Sequence, residues 1–170
     1  KRRFRLTEEQ TKGTCVRLQI GACDYFTEVW INGVSAGRHR GGYSSFSFDI
    51  TDMIRTGENT IAIYAEDDTR DPMIPSGKQS HEYASFGCFY TRTTGIWQTV
   101  WLEFAPEAQI RSFRFYPDIR TGTVSLAVQF NGTEDFTAEI SYQGKPVGEV
   151  VCPSCGGFRI FPVPLQEIHL

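Results

Sequence analysis

No stretch of the sequence approaches the ~20 consecutive apolar residues that a membrane-spanning helix needs. An excess of one charge is also lacking, since 17 basic and 20 acidic residues leave a net charge of −3. Electrostatic binding to nucleic acid or to an anionic membrane needs a basic surface, so the composition predicts neither partner. The basic opening Lys1-Arg2-Arg3 is short, and we interpret it as a solvated strand edge. These charged residues lead directly into a patterned strand, so no signal peptide is predicted.

The cysteine pattern lacks the spacing of a disulfide framework and of a metal site. Five cysteines without regular spacing predict free thiols in a reducing, cytoplasmic compartment. Cys152-Pro153-Ser154-Cys155 is a CxxC sequence, but no second CxxC or His pair completes a zinc site, and His169 alone does not suffice. We interpret the CxxC as a turn between strands, with redox or metal chemistry as the less favoured alternative. No metal and no cofactor are predicted.

Helical periodicity is almost absent, and the two-residue period of half-buried β-strands dominates. Asn32-Gly33 predicts a hairpin, because both central residues of a type I′ turn need positive φ. One short helical turn is predicted over 49–54, with Thr51 as its N-cap. The pattern predicts strands in the first part of the chain over 2–6, 14–20, 25–31, 34–37, 44–50, 60–65 and 95–104.

Residues 67–88 interrupt this pattern with Asp, Pro, Gly, Ser and Lys and without any sustained period. A loop of this length inside a compact domain is uncommon and usually functional. Lys78 and Gln79 lie within it and could either reach a ligand or be solvated. We favour a functional role for the loop as a whole.

The strand pattern resumes at Gly95 and runs to Phe104. In an extended strand Trp97 and Trp101 would share one face, while Ile96, Val100 and other residues would share the opposite face. Large apolar groups on both faces predict a central strand of a two-layer sandwich. We therefore expect both tryptophans to pack in the core or between domains.

Pro106 is predicted to be a domain boundary, which divides the chain into residues 1–106 and 107–170. Short strands separated by Gly, Asn or Pro turns are typical of a sandwich. Only about five strands fit after the boundary, fewer than the seven of a complete immunoglobulin-like domain. They are predicted over 109–116, 123–130, 136–142, 147–152 and 158–163.

Seven sequence elements follow one another in the first domain: GACDY at 21–25, EVWING at 28–33, GRHRGGY at 37–43, FSFDIT at 46–51, GENTI at 57–61, PSGKQ at 75–79 and YTRTTGIWQTVWLE at 90–103. The ordered set resembles the N-terminal jelly-roll domain of glycoside hydrolase family 2, which includes β-galactosidases, β-glucuronidases and β-mannosidases. The resemblance implies an all-β chain, with an N-terminally truncated jelly-roll β-sandwich over 1–106 and a partial immunoglobulin-like β-sandwich over 107–170.

The resemblance also implies that this chain is a non-catalytic N-terminal fragment of a retaining glycosidase. Enzymes of the family carry two catalytic glutamates on a later (β/α)8 barrel, and nothing after Pro106 has the alternating strands and helices of a barrel. The fragment would shape one wall of an active site for a terminal β-linked carbohydrate, and the parent would be a homo-oligomer. β-Galactosidases and β-glucuronidases of the family have an acidic residue near Cys88-Phe89-Tyr90, where this sequence has none. The resemblance therefore implies no particular sugar.

Four residues are candidates for carbohydrate binding: Lys78 and Gln79 within the long loop, and Tyr90 and Arg92 where it meets the following strand. For Arg92 the alternative is a buried ion pair with Asp67 or Asp68, because a charge among aromatic groups must be paired. No catalytic residue is predicted. Asp24 is interpreted as a structural residue that binds backbone amides at a turn.

Two other functions remain open for the same sequence. One is a stand-alone carbohydrate-binding β-sandwich module, which would present exposed aromatic residues to an oligosaccharide. The other is a purely structural sandwich that binds no sugar.

Overall fold

The computed structural model of the chain describes residues 1–153 and 156–168, and these residues are nearly all β-strand or turn. The prediction of an all-β sandwich fold is confirmed. The chain divides into two compact units, Lys1–Ala105 and Pro106–Leu170, which we call unit 1 and unit 2. Cys155 and His169 lie outside the described residues, so the interpretation of the CxxC sequence stays a prediction. No helix among the described residues is long and apolar enough to cross a membrane.

Unit 1 contains two main antiparallel sheets. One has the strand order β1-β7-β4-β5 and the other the order β6-β2-β9, while β3 and β8 form a short separate pair. Its strands are β1 (Arg2–Leu6), β2 (Cys15–Ile20), β3 (Cys23–Asp24), β4 (Phe26–Ile31), β5 (Val34–Arg40), β6 (Phe46–Asp49), β7 (Gly57–Glu66), β8 (Gly95–Ile96) and β9 (Val100–Ala105).

The core of unit 1 lies between these two sheets. Strand β4 alternates buried and partly exposed residues, with Val29 and Ile31 fully buried. Strand β2, at the centre of the other sheet, contributes Val16, Leu18 and Ile20 to the same cluster. Burying each such side chain stabilises the fold by roughly 1.5–3 kcal/mol, so the two central strands hold the sandwich together.

The hairpin at Asn32-Gly33 is confirmed, and both residues have positive φ, 52° and 87°. The Asn32 side chain also connects this turn to the neighbouring chain: its amide donates to Asn59 Oδ1 at 2.9 Å, and its carbonyl oxygen accepts from the Thr60 N–H at 2.9 Å. Asn59 is fully buried and bonds the Arg55 backbone through both ends of its side chain. Asn32 therefore forms the turn, and its hydrogen bond to the buried Asn59 cross-links that turn to the segment around Arg55.

Two local predictions in unit 1 differ from the structure. The predicted turn over 49–54 is a 3₁₀ helix, Thr51–Met53, and Thr51 lies inside it rather than at its N-cap. The Thr51 hydroxyl instead accepts from the Val16 N–H at 2.9 Å and so joins the helix to β2. A short helix α1 (Glu8–Thr11) was not predicted, although Thr7 and Gln10 form a capping box whose T-x-x-Q spacing is present in the sequence.

The predicted strand 95–104 is broken, and its position in the sheet is wrong. The backbone N–H groups of Trp97 and Gln98 both approach the Ala22 carbonyl, at 3.4 Å each, so the strand alternation fails between β8 and β9. Strand β9 lies at an edge of its sheet rather than at the centre. As a result Trp97 and Trp101 are about half exposed, at 49% and 45%, and do not belong to the core.

Unit 2 contains a three-stranded sheet with the order β10-β11-β14 and a two-stranded sheet, β12-β13. The five predicted strands are confirmed to within two residues at each end. Leu126, Val128, Cys152 and Val163 form the buried cluster of this unit. The strands are β10 (Gln109–Asp118), β11 (Thr123–Asn131), β12 (Phe136–Tyr142), β13 (Lys145–Cys152) and β14 (Gly157–Pro164).

The central position of Leu18 predicts a large loss of stability on truncation. Leu18→Ala removes a fully buried side chain and should lower the free energy of unfolding of unit 1 by about 2–5 kcal/mol. Urea unfolding followed by tryptophan fluorescence measures this unit alone, because Trp30, Trp97 and Trp101 are the chain's three tryptophans and all lie in it. Val34→Ala, at a 61% exposed hairpin position, is the control and should change the value by less than about 0.5 kcal/mol. Equal losses would contradict the assigned core.

Candidate functional site

The long loop, residues 67–94, joins β7 to β8 and is folded upon itself. The Tyr90 N–H donates to the Lys78 carbonyl at 2.8 Å, and the Ser80 N–H donates to the Tyr90 carbonyl at 2.7 Å. Ser80 is fully buried, and its hydroxyl donates to the Ala84 carbonyl at 2.8 Å. Two predicted site residues, Lys78 and Tyr90, are thus brought together although they are distant in sequence.

Gln79 fastens the loop to the sandwich through both ends of its side chain. Its amide nitrogen donates to Asp24 Oδ2 at 2.8 Å, and its amide oxygen accepts from the Thr93 N–H at 2.7 Å. Asp24 ends β3, which pairs with β8 directly after the loop, so the contact ties the middle of the loop to the strand pair at the loop's C-terminal end. The structure makes Gln79 an anchor, and its candidate role in sugar binding stays a prediction.

The three other candidate residues lie on or near the surface of the loop. Lys78 is exposed and Tyr90 is 66% exposed, so the Tyr90 ring is available for contact. Arg92 is half-buried, and its guanidinium carbon lies 4.8 Å from the centroid of the Tyr83 ring. This is a cation–π geometry, which orients Arg92 without using its hydrogen-bond donors on a carboxylate.

The alternative ion pair of Arg92 is not formed in the part of the chain that the structure describes. Asp68 instead accepts from the Arg70 N–H at 3.0 Å and lies 3.9 Å from the Arg70 guanidinium. Neither carboxylate oxygen of Asp67 has a hydrogen-bond partner among the described atoms. The partner of the Arg92 guanidinium is therefore the neutral Tyr83 ring, whereas the alternative prediction was the carboxylate of Asp67 or Asp68.

Asp24 is structural, as expected, but its partner differs from the prediction. Its side chain accepts from Gln79, rather than from backbone amides at a turn, and Asp24 is only 4% exposed. Gly42 lies against this carboxylate so closely that a Cβ atom on residue 42 would overlap it. Packing against Asp24 therefore requires glycine at residue 42.

Asp67 lies close to Asp24 in an environment that disfavours its charge. Burial is the main cause that raises the pKa of the Asp67 carboxyl, and the negative charges of Asp24 and Asp68 raise it further. The unpartnered oxygens of Asp24 and Asp67 are shielded from solvent. A carboxylate pair that acts on a glycoside must reach the scissile bond, so this pair is unsuited to catalysis.

Tyr43 and Trp97 form a small aromatic surface near the Gln79–Asp24 hydrogen bond. The Trp97 indole N–H donates to the Gly42 carbonyl at 2.8 Å, and the two rings meet edge to face with centroids 6.0 Å apart. The Tyr43 hydroxyl lies against Gly77 of the long loop, where a Cβ would be 3.0 Å away. The prediction that Trp97 packs in the core or between domains did not anticipate this surface.

The anchor predicts that Gln79→Ala releases the loop. Loss of the only described donor to a buried carboxylate oxygen costs about 1–3 kcal/mol, which corresponds to roughly 5- to 150-fold faster amide exchange within residues 67–94. Hydrogen exchange by mass spectrometry measures the change segment by segment, while the β2 and β4 amides should keep their rates. The control is Lys78→Ala, one residue away and exposed. Similar exchange in both variants would contradict the anchor.

A protein-family model described as "Glycosyl hydrolase 2 galactose-binding domain-like" matches residues 1–98. The chain is 30% identical to the β-galactosidase of Thermoanaerobacter pseudethanolicus over 152 residues, which cover 86% of this chain and 19% of that protein. It is also 30% identical to the β-glucuronidase of Sus scrofa, with 94% of this chain and 27% of that protein covered.

Solved structures resemble the chain over nearly its whole length. A β-glucuronidase from Ruminococcus gnavus in complex with uronic deoxynojirimycin superposes on 98% of this chain and 30% of its own, with a TM-score of 0.68 and 17% identity. A β-glycosidase from Bacteroides vulgatus matches 96% of this chain and 20% of its own, with a TM-score of 0.62 and 20% identity. Identities this low show the shared fold alone.

The chain spans about a fifth to a quarter of the length of the two curated relatives described above. The family model covers more than half of the chain, including β1 to β8 and the whole long loop. The chain therefore belongs to the glycosyl hydrolase 2 galactose-binding domain-like family.

Proposed function

We propose that the chain is the non-catalytic N-terminal part of a retaining family 2 glycoside hydrolase that acts on terminal β-linked sugars. In this proposal unit 1 is the N-terminally truncated jelly-roll domain, and unit 2 is part of an immunoglobulin-like domain. The long loop shapes one wall of an active site whose catalytic carboxylates belong to a barrel elsewhere in the polypeptide. The parent is a homo-oligomer in the cytoplasm.

The observation that carries the proposal is the anchored long loop. It is held against β3 by Gln79, it brings Lys78 and Tyr90 together through a backbone hydrogen bond, and it carries Arg92 two residues after Tyr90, against the Tyr83 ring. Exposed aromatic and cationic groups on a fixed loop are suited to orient a hydroxylated ligand. The named relatives are β-galactosidases and β-glucuronidases, which supports a carbohydrate as the ligand.

Catalysis is assigned to other parts of the polypeptide for a physical reason. A retaining mechanism needs two carboxyl groups about 5 Å apart on opposite sides of the scissile bond. The close carboxylates of unit 1, Asp24 and Asp67, have shielded oxygens. The chain can therefore position a substrate but has no exposed pair there to cleave it.

The alternative of a stand-alone carbohydrate-binding module is favoured by the exposed aromatics of the loop. Tyr83 and Tyr90 are both largely exposed, and such rings often stack on sugars in binding modules. The two functions differ in affinity, because a wall of a larger site contributes only part of the contacts.

The isolated 170-residue chain is predicted to hydrolyse neither 4-nitrophenyl β-D-galactoside nor the corresponding glucuronide, whereas the complete reading frame should hydrolyse at least one terminal β-glycoside. Isothermal titration of the isolated chain with β-linked oligosaccharides should give millimolar or weaker binding. Micromolar binding without hydrolysis by the complete protein would replace the proposal with the binding module. If the isolated chain binds no oligosaccharide and the complete protein hydrolyses no β-glycoside, the purely structural sandwich is the function that remains.

In the complete protein, Arg92→Ala is predicted to lower kcat/KM by about 10- to 150-fold. A hydrogen bond from a charged donor contributes about 1.5–3 kcal/mol, and its loss at the site would appear in this ratio. Steady-state hydrolysis measures the effect. Arg70→Ala is the matched control, because Arg70 lies in the same loop but pairs with Asp68. Equal kcat/KM for the two variants would remove Arg92 from the site.

A further inference from the structure

The outer face of the β1-β7-β4-β5 sheet concentrates positive charge. Ile61 and Ile63 of β7 pack against the core, so the residues that alternate with them face away from it, together with their directly opposed partners on the neighbouring strands. Three acidic and six basic side chains of the described residues lie on this face or at its rim: Glu28, Glu58 and Glu66 with Lys1, Arg3, Arg5, Arg38, Arg40 and Arg55. The whole chain carries −3, so positive charge is segregated onto this face.

Trp30 lies in a depression of the same face. It stands between the fully buried Val29 and Ile31, so its indole projects outward. Its cross-strand neighbours, Ala62 on β7 and Ser35 on β5, are both small and leave room beside the ring. A depression of about 450 Å³ opens there, within the range of small-molecule sites. Trp30 and Ala62 line it together with Lys1, Asn32, Arg55 and Thr60.

Arg55 is held at the rim of this depression with its outer donors free. The buried Asn59 accepts from the Arg55 N–H at 3.0 Å and donates to the Arg55 carbonyl at 2.6 Å. Arg55 Nε donates to the Glu58 carbonyl at 3.1 Å, which orients the guanidinium. Its two terminal nitrogens have no protein partner within residues 1–153 and 156–168. A guanidinium fixed in this way is suited to a planar carboxylate.

A second pairing of aromatic rings with a cation lies on the same face. The Arg40 guanidinium carbon is 5.8 Å from the centroid of the Phe26 ring, and the Tyr64 ring meets Phe26 edge to face at 6.3 Å. Tyr64 is 49% exposed. Phe26 and Trp30 are four residues apart on β4, which corresponds to about 13 Å in a strand. A ligand that contacts both positions must therefore be longer than one sugar unit.

We propose that the outer face of the β1-β7-β4-β5 sheet binds an acidic oligosaccharide, with one sugar ring on Trp30 and the carboxylate of that sugar on Arg55. The flat indole suits the C–H face of a pyranose ring, and a uronic acid carries its carboxylate at the edge of the same ring. Lys1 supplies a second positive charge at the rim of the depression. The proposal uses no residue of the long loop and does not depend on the proposed glycosidase function.

The acidic residues of the face favour a glycan over a nucleic acid. Glu28 pairs with Arg38 at 3.2 Å, and Glu66 accepts from the Tyr64 hydroxyl at 2.9 Å. Both carboxylates lie among the basic residues, where they repel a phosphate backbone. The hydroxyl groups of a sugar can instead donate hydrogen bonds to them. A ligand that combines carboxylates with hydroxyls therefore matches the mixed charges of the face.

The first experiment compares two hexasaccharides by isothermal titration of the 170-residue chain. One is the β-1,4-linked glucuronic acid hexamer, and the other is cellohexaose, which has the same backbone without carboxylates. The acidic hexamer should bind roughly 10- to 150-fold more tightly, the ratio that a hydrogen bond to a charged group contributes. Arg55→Gln should remove most of this preference and leave the affinity for cellohexaose unchanged. The control is Arg2→Gln, which removes the same charge on the core side of β1, opposite Ile61, and should keep the preference.

The second experiment separates loss of the site from loss of the fold. Trp30→Ala should weaken binding of both hexamers, whereas Arg55→Gln should keep the urea-unfolding midpoint of the unmodified chain, because Asn59 bonds only the backbone of residue 55. The proposal is overturned by equal binding of the two hexamers, by a preference that survives Arg55→Gln, or by an equal loss in Arg2→Gln. Binding of hexathymidylate as tight as that of the acidic hexamer would also overturn it, in favour of a general anion surface. None of these results bears on the long loop, because Arg55 and Trp30 lie outside it.

Discussion

The hydrogen bond from the Gln79 amide to the Asp24 carboxylate is the contact on which the candidate site depends. Residues 67–94 contain no helix and no named strand, and fixing the backbone of each residue costs ~1–2 kcal/mol of conformational entropy. Local bonds such as that of Ser80 to Ala84 order parts of the loop but do not position it on the sandwich. Gln79 does so, because it joins Asp24 at one end of its side chain and Thr93 at the other. The positions of Tyr90 and Arg92 follow from that connection.

The strands could be predicted because their signal is local. Alternation in β4 and the Asn32-Gly33 turn each depend on neighbouring residues, and both are found as expected. The strand that contains Trp97 failed because its break is caused by another part of the chain. Gly21 approaches Gln98 so closely that a Cβ on residue 21 would lie 2.8 Å from the Gln98 Cβ, and the Gly21 N–H donates to the Thr99 carbonyl. The sequence of residues 95–104 alone contains no signal of this contact with Gly21.

For the candidate site, too, the local feature could be predicted from the sequence and the long-range contacts could not. The length and composition of the loop identified the segment that carries Lys78, Gln79, Tyr90 and Arg92, since an unpatterned stretch is visible locally. The partners of these residues were not predictable, because Gln79 and Asp24 are 55 residues apart in sequence. For Arg92 the electrostatic argument correctly required a partner but chose a carboxylate, whereas the Tyr83 ring face serves the same purpose. Charge alone does not distinguish these two solutions.

The pair Asp24 and Asp67 shows where the sequence departs from what stability alone would favour. Asparagine has nearly the same shape as aspartate, and at residue 67 it would remove an unpartnered buried charge. At residue 24 it could still accept from Gln79 through its amide oxygen. Neither the packing against Gly42 nor the loop anchor therefore requires two carboxylates. What aspartate adds over asparagine here is a group that can exchange a proton. Burial and the neighbouring negative charges raise the pKa of the Asp67 carboxyl and so favour its neutral form, which lowers the cost of burying it near Asp24 and the Gln79 anchor.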